Sequence, residues 1–237
     1  MLINADLGEG CPHDEALFEL VDLGNIACGG HAGDADSMAR ACELAMKHGV
    51  QVGAHPSYPD REGFGRRRPA GALSNLLGEL TRQVEAFEEI ALATGCVTSH
   101  FKPHGQLYND AAREEGMAEL MIQLARQFPH LKLLALAGSP QVAVSRQAGL
   151  LVLEEAFPDR RYRQDGSLVP RSVAGAVIGE IDAVRQQAQH VIQGEPIDCL
   201  DGGQITVVAQ TLCVHGDNAL ALNNAKAVRE ALIHLKG

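Results

Sequence analysis

Seven short apolar runs recur along this chain, near residues 2–5, 25–28, 50–54, 98–102, 131–136, 150–154 and 210–214. Between most of them lie longer stretches whose apolar residues follow helical spacing. Strand alternating with helix is the pattern of a parallel sheet, because parallel neighbours need a crossover long enough to hold a helix. The runs are almost continuously apolar, as strands covered on both faces are. Seven of them favour a closed, seven-stranded parallel β/α barrel, with a doubly wound open sheet as the alternative.

The intervening stretches carry helix signals. In residues 34–48, Met38, Ala41, Cys42, Ala45 and Met46 share one stripe and Gly49 supplies the stop. A helix over 74–94 takes Ser74 as its cap, carries Leu77, Leu80, Val84, Phe87 and Ala91, and ends before Gly95. Met117, Leu120, Met121 and Leu124 mark a helix over 111–127, and Ser139-Pro140 opens another that ends before Gly149. Two more fit residues 176–192 and 218–235. Asp201-Gly202-Gly203, inside 196–208, reads as a small hairpin ahead of the last strand. With no repeat, linker or low-complexity stretch, residues 1–237 read as one domain.

Thirty acidic against twenty basic residues give a net charge of -10, which argues against nucleic acid or an anionic membrane as partner. No apolar run is long enough to span a bilayer, and "MLINADLGEG" lacks the basic and long apolar regions of a signal peptide. The six cysteines are scattered without a CxxC pair, as expected of reduced, mostly buried thiols in a cytoplasmic protein. Self-association is left open by the sequence.

The residues just beyond each strand are the informative ones, since ligands of parallel α/β folds bind at the carboxyl ends of the strands. The first run leads into Asp6 and Glu9, the second into His31 and Asp34, and the third into His55. The fourth gives Lys102 and His104; the sixth gives Glu154, Glu155, Asp159 and Arg160; the seventh gives His215 and Asp217. Only the fifth, "LALAGS", is bland. One histidine after a strand is ordinarily a structural residue, but four at one rim with Asp6, Lys102 and Glu155 point to a site.

Two chemistries suit these residue types. Asp6, His31 and His55 are ligands that a Zn or similar divalent ion takes, although no HExxH-type spacing supports them. Metal-free acid/base work by a neutral histidine and a carboxylate is the other. Lys102 can stabilise an oxyanion or bind a carboxylate or phosphate, or be held structurally by Glu155 or Asp217. The run "DREGFGRRRP", residues 60–69, offers four arginines that either close over an anionic substrate or stay solvated. There is no GxxxxGK[ST] loop, GxGxxG turn or GxSxG elbow, and Cys28 and Cys213 read as packing residues.

The blocks "NADLGEG", "NIACGGHAGD", "VGAHPSYPDREGFGRR", "FKPHGQLYN", "EEAFPDRRY", "LVPR" and "LCVHGDN" together closely resemble the LamB/YcsF family. They run in the same order from about residue 3 to residue 218. The resemblance implies a seven-stranded β/α barrel similar to the glycoside hydrolase/deacetylase superfamily. It also implies a part in the ATP-dependent opening of 5-oxoproline to L-glutamate, jointly with two partner subunits, B and C, that would handle ATP and Mg. The family's motif positions fall here on Asp6, Glu9, His31, Asp34, His55, Lys102, His104, Tyr108, Asn109, Glu155, Asp159, Arg160, His215 and Asp217.

On that reading Lys102, His104, Glu155, His215 and Asp217 are the catalytic candidates. Asp6, Glu9, His31, His55, Arg66, Asn109 and Arg160 are the substrate-binding ones. His104 or Glu155 would serve as base toward water, with Lys102 and the arginine loop holding negative charge. The rival is a metal-dependent deacetylase or amidohydrolase with Asp6, His31 and His55 as ligands. A third reading is a non-catalytic component that binds a small acid. The chain departs from the family pattern at Gly30, where a bulky residue is usual, at Ala35 after Asp34, at Pro158, and in a short segment after Glu9.

Overall fold

A computed structural model describes residues 1–69, 75–216 and 220–234. Seven parallel strands close into a barrel: β1 (Leu2–Leu7), β2 (Leu23–Ala27), β3 (Gln51–His55), β4 (Thr98–Phe101), β5 (Lys132–Leu136), β6 (Val152–Ala156) and β9 (Thr211–Val214), with β9 closing back onto β1. The antiparallel pair β7 (Ile197–Asp198) and β8 (Gln204–Ile205) is the hairpin expected around Asp201-Gly202-Gly203.

Alternate strand positions divide two environments. Ile3, Ala5 and Leu7, Val52 and Ala54, Leu133 and Ala135, and Leu212 and Val214 belong to the apolar core packed against the helices. The intervening residues Asn4, Asp6, Asn25, His100, Lys102, Glu155, Thr211 and Cys213 are buried and bonded to one another inside the barrel. The interior is therefore polar, although its strands read as apolar.

Helix α1 (Asp14–Leu17) is one short turn; α2 (Ala35–His48) buries Met38, Ala41, Cys42 and Ala45 as its stripe requires, but leaves Met46 exposed. Asp34, placed among the strand-end candidates, is the cap of α2: its carboxylate accepts from Ser37 N at 2.9 Å, and its side chain is exposed. Helix α3 (Leu76–Thr94) buries Leu80, Val84, Phe87 and Ala91; Asn75 occupies its cap, and Ser74 lies outside the described residues. Gly49 and Gly95 close α2 and α3 in the left-handed conformation.

The single helix expected over 111–127 is two, α4 (Gly105–Arg113) and α5 (Glu115–Gln127). Glu114 is extended between them, which ends one helix and places it at the N-cap position of the next; its carboxylate makes no capping bond and pairs with Arg68 at 2.8 Å. Helix α6 (Pro140–Gln147) comes directly after Ser139. Helix α7 (Ile181–Gln193) starts later than the expected 176, because residues 157–180 form a long excursion tied by the bridges Arg160–Val177 and Tyr162–Leu168. Helix α8 (Ala221–His234) completes the ring. Among the described residues no helix is long and apolar enough to cross a membrane.

Candidate active site

A cavity of about 370 Å³ opens at the carboxyl ends of the strands. Its floor is Lys102 and Asp6. Lys102 Nζ lies 3.0 Å from Asp6 Oδ1, 3.1 Å from Glu155 Oε2 and 3.1 Å from Cys213 Sγ. Burial pushes this ammonium toward the neutral form, but Asp6, Cys213 and Glu155 outweigh it, and its pKa stands well above the usual lysine value. The rings of Phe157 and Tyr108 lie 5.4 and 5.8 Å from Nζ, near enough for cation–π attraction. Burial raises the Asp6 pKa, yet His55 and Lys102 reverse this and leave it well below the usual carboxylate value. Glu155 is fully buried under the lysine and is absent from the cavity wall. It is the lysine's counter-charge, placed too deep to be the base that contacts a substrate.

Beneath the floor, Asn25 Nδ2 donates to Asn4 Oδ1 and to Asp6 Oδ1, each at 2.9 Å, and Asn4 Nδ2 donates to Glu155 Oε2 at 3.2 Å. His100 Nε2 bonds Asn25 Oδ1 at 2.9 Å. This lattice aims Asp6 and Lys102. The strand-end pattern does not reveal Asn4, Asn25, His100 and Thr211. Their signal is period-two spacing: Asn4 precedes Asp6, and His100 precedes Lys102, by two residues in buried strands.

Burial, with Lys102 and His55 adding to it, pushes the His100 pKa down to about 3. A neutral buried histidine whose unfolded value is about 6.5 costs stability below that pH, because the unfolded chain takes up the proton first. We expect His100 to remove about 1.4 kcal/mol of stability per pH unit as pH falls from about 6.5 toward its folded value. Urea unfolding of the wild type and His100→Gln between pH 7 and 4.5 checks this: the variant should show the shallower pH slope.

One wall is a cluster of three imidazoles around Glu9. Glu9 Oε1 is 2.9 Å from His31 Nε2, 3.4 Å from His104 Nδ1 and 3.9 Å from His55 Nε2. His31 and His104 stack with centroids 3.6 Å apart. Burial, followed by the charge of His55, lowers His31 to about 3; burial with His55 and His31 holds His104 well below the usual value. The loop of residues 60–69 seals this wall. Phe64 takes a left-handed φ of 54°, and its carbonyl meets His104 Nε2 at 3.0 Å. At Gly65, φ 65°, a Cβ would come 2.8 Å from His104 Cδ2, so a side chain there would displace the imidazole.

The opposite wall is a His–Asp pair. His215 Nδ1 bonds Asp159 Oδ2 at 2.7 Å, and the ring stacks on Phe157. Burial raises the Asp159 carboxyl, but His215 more than reverses it and leaves the pKa lowered. Both residues were expected at strand ends; their pairing is not legible from positions 56 residues apart. Asp217 lies outside the described residues. Asn109 lines the cavity and donates its amide to Gly105 O at 3.0 Å.

Four arginines, Arg66, Arg113, Arg160 and Arg171, stand around the cavity. Of the arginine-rich loop only Arg66 reaches it. Arg61 bonds the Gly29 and Gly33 carbonyls, Arg67 pairs with Asp60 at 2.8 Å, and Arg68 pairs with Glu114. Arg113 and Arg171, on the α4 and post-β6 segments, escape a reading of the sequence because nothing local distinguishes them from surface arginines.

Among the described residues two groups have metal-ligand geometry: Glu9 with His31, His55 and His104, and Asp6 with Cys213 and His215. The ligand set Asp6, His31 and His55 is not the one assembled. Asp6 Oδ2 is 3.3 Å from His55 Nε2, but its other oxygen is held by Lys102 and Asn25, while Glu9 and His104 complete the imidazole cluster. Cys213, read as packing, faces Lys102. At Gly30 a Cβ would lie 2.4 Å from both Gln83 Oε1 and Ser57 Oγ. Gln83 binds the Ser57 backbone in the space a bulkier residue would need.

A closed parallel β/α barrel with charged and titratable groups converging on a cavity at the strand ends is the arrangement that barrel enzymes use for small-molecule sites. The chain belongs to the LamB/YcsF family, whose model matches residues 1–236. It is 44% identical over 232 residues to the A subunit of 5-oxoprolinase of Haemophilus influenzae (strain PittGG), covering 97% of this chain and 94% of that one. The protein of the same name from strain PittEE is 43% identical with the same coverage. The crystal structure of the lactam utilization protein from Thermus thermophilus superposes with a TM-score of 0.89 at 38% identity, covering all of this chain and 97% of that one.

Proposed function

We propose that this chain is the barrel component of an ATP-dependent 5-oxoprolinase, which opens 5-oxo-L-proline to L-glutamate together with partner subunits B and C. The supporting observation is a cavity with a proton-transfer group on each of two walls, a cationic floor and arginines at its rim. A lactam is resonance-stabilised, so its hydrolysis needs an activated carbonyl, an attacking water and a proton for the departing nitrogen. The sequence carries no familiar ATP loop. Activation of the amide oxygen by ATP and Mg therefore falls to the partners.

Water adds to the activated carbonyl carbon and gives up a proton at the Glu9–His104 edge. Lys102, kept cationic by Asp6 and Glu155, faces the negative charge that develops over the floor. The ring C–N bond breaks, and His215, oriented by Asp159, supplies the proton that the nitrogen takes; the acyl phosphate so formed loses its phosphate to a second water, leaving glutamate and inorganic phosphate. Arg66, Arg160 and Arg171 suit the substrate carboxylate or a transferred phosphoryl group.

Kinetics of the assembled enzyme test this placement. Arg66→Met raises the KM for 5-oxoproline by about tenfold while kcat stays within about threefold, as loss of ground-state binding requires. An unchanged KM would move the substrate away from this rim. The second reading, a metal-dependent deacetylase or amidohydrolase, is favoured by the imidazole cluster. It predicts turnover of a small amide or acylated sugar by the chain alone, without ATP and abolished by chelation.

A further inference from the structure

The hydrogen bonds of the imidazole cluster fix its tautomers. His55 Nδ1 is 2.7 Å from Lys102 O, and His104 Nε2 is 3.0 Å from Phe64 O. A carbonyl only accepts, so each of these nitrogens carries the ring's single proton in the neutral form. The inward nitrogens, His55 Nε2 and His104 Nδ1, are then bare lone pairs that face each other at 2.9 Å. Asp6 Oδ2 stands 3.3 Å from the first and Glu9 Oε1 3.4 Å from the second. Neither ring can donate to the other, and each bare nitrogen has a carboxylate oxygen beside it.

Such an arrangement is repulsive unless a cation occupies it. Lys102 does not serve: its Nζ is bound to Asp6 Oδ1, Glu155 and Cys213. A shared proton would do so only by making one ring an imidazolium. A metal ion meets the need with both rings neutral.

We propose that Glu9, His31, His55 and His104 bind one divalent transition-metal ion, of the Zn²⁺ type, on the wall of the cavity. Donors at about 2.0–2.1 Å from a tetrahedral ion stand roughly 3.3 Å apart. The Glu9–imidazole and His55–His104 separations, 2.9, 3.4, 3.9 and 2.9 Å, bracket that edge. The carbonyls behind His55 and His104 are the outer partners that metal-binding histidines ordinarily use. His31 Nδ1 has no partner, so no protein group fixes its tautomer and Nε2 is available either as donor to Glu9 or as ligand. An N₃O donor set suits Zn²⁺, Co²⁺ or Ni²⁺ better than Mg²⁺ or Ca²⁺. Occupancy is measured on the chain by itself, independently of the substrate; an ion held here would supply an acidified water at the wall where, without it, the Glu9–His104 edge takes the proton.

The experiment is metal analysis of the purified chain, then stripping with a chelator and titration with Zn²⁺ and with Co²⁺. One equivalent of Zn²⁺ per chain is expected, with a rise in melting temperature that grows with free metal. Co²⁺ should give the intense visible absorption of a tetrahedral site. Glu9→Gln and His104→Asn, each checked for folding by circular dichroism, should weaken Zn²⁺ at least about 10-fold. Cys213→Ser, in the other cluster, should leave the affinity unchanged. Failure of the folded wild type to bind Zn²⁺ or Co²⁺ at about 100 µM would overturn the site and leave the shared proton as the cluster's cation. Tight binding indifferent to Glu9→Gln and His104→Asn but lost in Cys213→Ser would also overturn it.

Discussion

Lys102→Ala should abolish glutamate release by the assembled enzyme and weaken the barrel by about 3–5 kcal/mol, the usual cost of removing one partner from a buried ion pair. Both effects have the same origin. The ammonium is 2% exposed and is the cation to which Asp6, Glu155 and Cys213 are jointly bonded. Without it, fully buried Glu155 has the amide of Asn4 at 3.2 Å but no cation to balance its charge. The double variant Lys102→Met, Glu155→Gln separates the two effects. Neutralising the orphaned carboxylate restores much of the stability, read by urea unfolding, while turnover stays absent because the charge at the cavity floor is gone. Recovery of turnover in the double variant would reduce Lys102 to a structural role.

Gly53→Ala should prevent the barrel from closing. Strand β3 lies between β2 and β4, and the His100–Asn25 bond passes over it. At Gly53 an added Cβ would fall 2.1 Å from the His100 carbonyl oxygen and 2.5 Å from its ring. The first obstacle is backbone within the β3–β4 pairing, so it cannot rotate away as a side-chain tip does. Overpacking a core typically costs about 1–3 kcal/mol, and a clash with sheet backbone belongs above that range. Soluble expression and cooperative unfolding of Gly53→Ala, measured against Gly116→Ala, check this. Residue 116 lies in α5 and has open space around its Cβ position. Equal stability of the two would show that His100 does not hold this place.

The barrel was legible because its outward strand positions and helix stripes follow simple periods: Val52 and Ala54 on β3, and Met38, Ala41, Cys42 and Ala45 on α2. The strand-end loops were legible as a group because His31, His55, His104 and His215 all come just after apolar runs. Side-chain partnership was not. Asp34 looks like a site carboxylate until its bond to Ser37 shows it to be a cap. Glu155 looks like a base until its burial under Lys102 makes it a counter-charge. Three of the four arginines in 60–69 are taken up by local carboxylates or carbonyls that no sequence period reveals. The polar interior around Asn4, Asn25 and His100 stayed hidden because isolated polar residues inside apolar runs read as tolerated exceptions.

The decisive measurement is glutamate release from 5-oxoproline by this chain mixed with candidate B and C subunits and Mg-ATP, with each component omitted in turn. Glutamate is expected only from the complete mixture, and none when Lys102→Ala replaces the wild type. Rapid release by the chain alone, without ATP or partners, would contradict the division of labour at its root.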